Sequence, residues 1–71
     1  MRVRIDQQSD ALYIDLTGRE IESSTEVADG IILDYDKDGR LVGIEVLDAS
    51  KKSGDVAALR HLVLDVPDVA A

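Results

Sequence analysis

Ile31–Leu47 reads IILDYDKDGRLVGIEVL, two apolar runs joined by an acidic turn. Before the turn Ile31, Leu33 and Tyr35 share one side, with Ile32, Asp34 and Asp36 on the other. After it Val42, Ile44 and Val46 alternate with Gly43, Glu45 and Leu47. A period of two in an Ile- and Val-rich run predicts half-buried strands. Asp-Gly between two such runs predicts a hairpin, because glycine adopts positive φ without a steric penalty. The expectation is a strand over Gly30–Tyr35, a turn at Asp36–Gly39 and a strand over Arg40–Leu47.

The same residues admit a second reading. Asp34, Asp36, Asp38, Gly39 and Glu45 fall on the fixed positions of a helix-flanked calcium loop. Alternate carboxylates, the Arg40 carbonyl and a bidentate Glu45 suit a hard cation such as Ca²⁺. The flanks oppose it. Gly30 with Ile31 and Ile32 on one side, and Gly43 among β-branched residues on the other, make poor helices. In a hairpin these carboxylates lie along paired strands and do not surround one cavity. Asp34, Asp36, Asp38 and Glu45 therefore stand as metal candidates only under the second reading.

Outward from this stretch, Arg2–Asp6 and Ala11–Leu16 alternate as two further strands, and Glu20–Ala28 reads as an exposed or edge strand. After Leu47 the segment Asp48–Gly54 is polar and leaves the sheet. Ser53 is placed to N-cap a short helix from Gly54 to about His61, with Asp55 in its first turn. Leu62, Leu64 and Val66 alternate again as a last edge strand, and Asp68–Ala71 is expected to fray. The fold class is α+β: residues 1–71 form one β-rich domain, an antiparallel β-meander of five or six strands with one short C-terminal helix packed on it.

One sheet face is apolar: Val3, Ile5, Leu12, Ile14, Leu16, Ile31, Leu33, Val42, Ile44 and Val46. The opposite face carries Tyr13, Ile32 and Leu47 among charges. That smaller patch reads either as a dimer surface or as ordinary exposed apolar residues. Seventy-one residues bury a marginal core, which small domains supplement with disulfides, metals or partners. With no cysteine, disulfides are excluded, and a homodimer is the expected device.

The net charge of −7 comes wholly from residues 20–48, with nine acids against Lys37 and Arg40. Such a concentration disfavours nucleic acid and suits either solubility or a basic partner. Only Tyr13 and Tyr35 are aromatic, which leaves no stacking platform for bases. His61 is the only histidine and its expected role is at a helix C-terminus. No nucleophile–base pair, phosphate loop or required cofactor emerges, so the chain does not read as an enzyme. No apolar run spans a bilayer and no signal-peptide pattern opens the chain, so a cytoplasmic location is expected.

DALYIDL at Asp10–Leu16 and EVADGIILDYDKDGRLVGIEVLDASK at Glu26–Lys51 resemble the small prokaryotic family called domain of unknown function 2283. The resemblance spans about Val3 to Lys51. It implies a compact β-rich cytoplasmic domain, an acidic hairpin in place of a calcium loop, and no catalytic residues. It also implies, through suggested neighbouring toxin-like genes, an antitoxin-like partner of a small basic toxin. The residues themselves favour a non-catalytic, self-associating interaction module. The calcium-binding regulator of residues 34–45 and the antitoxin are the alternatives.

Overall fold

The computed structural model describes residues 1–68. Five strands form one antiparallel sheet: β1 (Arg2–Asp6), β2 (Ala11–Asp15), β3 (Ser23–Ala28), β4 (Ile31–Tyr35) and β5 (Leu41–Val46). Their order across the sheet is β1-β2-β5-β4-β3. A hairpin, β1–β2, and a meander, β3–β4–β5, are joined where β5 pairs with β2. The central hairpin is therefore the middle of the sheet, with neighbours on both sides.

The register confirms the alternation. Val3 faces Ile14, Ile14 faces Ile44, and Ile44 faces Leu33 across four strands. A second row runs Ile5, Leu12, Val46, Ile31. Directly opposed residues of antiparallel strands share a face, so these rows build the apolar side of the sheet. The turn between β4 and β5 closes through the Asp36 amide on the Arg40 carbonyl at 2.9 Å, with Gly39 at φ 76°. That positive φ is the conformation for which the Asp-Gly pair is suited.

The helix lies earlier than the sequence predicts. Helix α1 covers Ala49–Ser53, and a single 3₁₀ turn, η1, covers Ala58–Arg60. Ser53 ends α1 and does not cap a helix from Gly54 to His61. The cap comes from outside the helix. Asp10, at φ 54° in the β1–β2 turn, accepts the Ser50 amide at 3.0 Å and the Ser50 hydroxyl at 2.7 Å, while its carbonyl accepts the Ala49 amide at 2.9 Å. A side chain forty residues away thus satisfies donors that α1's own N-cap residue, Asp48, leaves free.

The expected last strand, Leu62–Val66, forms no strand; it is irregular and exposed. The exposed third strand is shorter than expected, starting at Ser23 and not at Glu20. Of the frayed end expected at Asp68–Ala71, residues 69–71 lie outside the described part. No helix among the described residues is long and apolar enough to cross a membrane.

Few side chains are fully buried. Val42, 1% exposed, and Ala49 are the buried apolar residues among those described, and the rest of the apolar face is half-buried. The molecule measures 37 × 35 × 18 Å. Its radius of gyration of 13.7 Å exceeds the roughly 11 Å of a compact chain of this length.

Asp10→Ala is expected to detach α1 from the β1–β2 turn. Hydrogen exchange at the Ala49 and Ser50 amides checks this: both exchange faster in the variant, while the Ile44 amide, in mid-sheet, keeps its protection.

Candidate functional site

The polar face of the sheet holds the most organised cluster of chemically active side chains. Asp34 sits on β4 opposite Gly43 of β5 and Ser24 of β3. Gly43 offers no side chain, and Tyr13 of β2 extends over it: a Cβ at position 43 would overlap the Tyr13 hydroxyl and lie 3.0 Å from the Ile14 carbonyl oxygen. The Tyr13 hydroxyl therefore crosses β5 and donates to Asp34 Oδ2 at 3.0 Å. From the other side Ser24 Oγ donates to Asp34 Oδ1 at 2.5 Å. One buried carboxylate, 6% exposed, is satisfied by donors from two other strands. The result is a polar brace from β2 to β3.

Burial pushes the Tyr13 phenol up to about 12, reinforced by its hydrogen bond to Asp34 and by that carboxylate's charge. Its outer flank borders a shallow groove of about 550 Å³ with Arg4, Asp6, Glu45, Leu47 and Ile21 on its walls. Both signs of charge line the groove, and it is open to solvent.

Asp36 does a different job at the end of the hairpin. Its Oδ1 accepts the Asp38 and Arg40 amides, each at 2.9 Å, and Arg19 Nη1 approaches Oδ2 at 3.4 Å. The Arg40 amide, then the Asp38 amide and the Arg19 guanidinium, hold the carboxyl below the usual carboxylate range. It is an Asx-type brace for the turn. The alternation of the sequence sets Asp34 and Asp36 together on one side of a strand. The structure buries both and separates their roles, because β4 ends at Tyr35 and Asp36 already belongs to the turn.

The four metal candidates do not converge. Asp34 is engaged across the sheet, Asp36 turns back onto its own loop, Asp38 is exposed, and Glu45 stands between Tyr13 and Ile32 on the polar face. Among the described residues no three acidic, histidine or cysteine side chains are arranged to hold a metal ion. Of the interface candidates, Tyr13 and Ile32 flank Glu45 from either side, and Leu47 follows β5 on the same face; all three are half-buried. His61 is exposed in the extended chain after η1. Sequence reasoning missed the Tyr13–Asp34–Ser24 brace, although a glycine in mid-strand was a usable signal for a close approach.

A family model described as "Protein of unknown function (DUF2283)" matches residues 2–50, and the chain belongs to that family. No curated protein and no solved structure matches the chain.

Tyr13→Phe removes a donor from a buried carboxylate and is expected to lower stability by about 1–3 kcal/mol in urea titration. The phenol's raised value means the fold favours the protonated form. Its contribution is complete below 10, the ordinary tyrosine value, and is lost as pH rises from there toward 12. In Tyr35→Phe, where Tyr13 is the sole phenol, tyrosinate absorbance is expected to rise with a midpoint at about 12. With Asp34 and Asp36 already engaged, millimolar calcium is expected to leave the Gly39 amide resonance unmoved.

Proposed function

We propose, for this member of the DUF2283 family, a non-catalytic protein-interaction module that works as a homo-oligomer, with the apolar face of its sheet as the contact surface. The observation that carries this is the unfinished core. Domains are built from two or three layers, because a sheet with one apolar face must bury it against something. Here one sheet carries ten apolar residues on a face where only Val42 is fully buried. The accessible surface is 5605 Å², roughly 1,300 Å² more than a folded monomer of this mass presents. Part of that excess belongs to the exposed segment 61–68 and part to the half-buried face; a stable interface takes about 800 Å² from each partner.

A non-catalytic reading draws support from the polar face. Its one buried carboxylate spends both oxygens on structural donors, and the raised phenol of Tyr13 points at that carboxylate. A general base must be reachable by its substrate, and Asp34 is buried and does not line the groove beside Tyr13.

Folding coupled to association makes stability depend on protein concentration. The urea midpoint is expected to rise as concentration is raised from micromolar to hundreds of micromolar, and sedimentation equilibrium at tens of micromolar to give a multiple of the chain mass. A single-chain mass together with a midpoint independent of concentration would sink the reading.

A further inference from the structure

We infer that residues 61–68 form an exchanged arm: in the oligomer this segment of each chain lies across the apolar sheet face of a second copy. The inference rests on the self-association proposed above and names the part of the partner that covers the face.

Both halves of the missing contact are present on one chain. The acceptor is the half-buried face built from Ile14, Leu33, Ile44 and Val46. The donor is the segment after η1, where the backbone turns extended at His61. In an extended chain Leu62, Leu64 and Val66 share one side. Leu62 is 55% exposed, Leu64 72% and Val66 84%, and Val63 between them is also exposed. An apolar stripe held in water beside an apolar face held half in water is an arrangement that burial of one against the other relieves.

Reach permits it. Eight extended residues span about 26 Å. The outer strands of a five-stranded sheet lie about 19 Å apart, so one arm crosses the whole face. The start of the arm is fixed: Gln7 Nε2 donates to the Leu59 carbonyl at 3.5 Å, and the Asp10–Ser50 contacts hold α1 to the same β1–β2 turn. The arm thus leaves from a defined point on one edge hairpin. In the single chain it does not return to its own face, since its apolar side chains remain exposed there. Reciprocal exchange between two copies buries both donor stripes and both acceptor faces under one two-fold axis.

The chain has no native cysteine, which makes a cross-linking test clean. Leu64→Cys is placed on an affinity-tagged chain and Val46→Cys, a near-isosteric change on the apolar face, on an untagged one. The two are mixed, unfolded and refolded together, and treated with a short bismaleimide. The expected result is a tagged–untagged covalent pair joining position 64 of one chain to position 46 of the other. Cross-linking confined to single chains of a Leu64→Cys/Val46→Cys double variant overturns the exchange. So does a sedimenting dimer that yields no 64–46 product, which leaves self-association standing. A sedimenting monomer removes both readings. As a second measurement, Leu62→Ser/Leu64→Ser/Val66→Ser alters no side chain buried in the single chain. It is expected to keep the folded amide spectrum and weaken association on the order of a hundredfold. Unchanged association in that variant also overturns the arm.

Discussion

The Tyr13 hydroxyl reaches the Asp34 carboxylate because β5 carries no side chain at position 43. Much else in the molecule depends on that crossing. A carboxylate in the middle of a sheet is tolerable only when its oxygens are bonded, and here β2 and β3 each supply one donor. The brace also assigns the two sides of the sheet. Once Tyr13, Asp34 and Ser24 occupy one side, a one-residue slip of any strand would carry a charge into the aliphatic rows and an aliphatic side chain into the polar ones. Register, face and strand order are therefore mutually enforced. The polar face satisfies its buried carboxylate within one chain, and the side chains of the apolar face other than Val42 stay half-buried.

Attachment follows a similar economy at the other end of the sheet. α1 has five residues, too few to stand alone in water. It persists because Asp10 gives it a cap and the β1–β2 turn gives it a site. The Ser50 hydroxyl and amide lower the Asp10 carboxyl below its ordinary value, so the contact favours the ionised form and is lost only as acid protonates it. Beyond α1 the chain is tied back to the β1–β2 turn through the Leu59 carbonyl. Past that point it is an exposed apolar segment that pairs with neither edge strand, β1 nor β3.

The strands were legible in the sequence because period two is a local property. Val3 and Ile5, Leu12 and Ile14, Leu33, Ile44 and Val46 announce their face without knowledge of the neighbours. The hairpin turn was legible for the same reason, through Asp38-Gly39. The helix was not. Ser53-Gly54-Asp55 has the local chemistry of a helix start, but Asp10, distant in sequence, stabilises a start at Ala49 instead, and Gly54 becomes the C-cap in the left-handed region. Leu62–Val66 failed as a strand for a related reason. Its alternation is genuine, yet a strand needs a partner edge, and alternation says nothing about where that edge is. The brace was hidden too: Tyr13, Ser24, Asp34 and Gly43 come from four strands, and only the register shows that Gly43 leaves room for a phenol to pass.

The acidic spacing that imitates a calcium loop also has a physical explanation in the hairpin. A cation site gathers carboxylates because the ion supplies the positive charge that holds them together. In this chain backbone amides, a hydroxyl, a phenol and Arg19 supply it instead. Asp36 collects two amides of its own turn as an ion would collect oxygens, and Asp34 collects donors from β2 and β3. The i, i+2 spacing arises because Asp34 holds the last polar-face position of β4 and Asp36 belongs to the turn after it. Such a pattern needs no cation to be stable. It needs a glycine at 39 to close the turn and another at 43 to let Tyr13 across, and both stand in those positions.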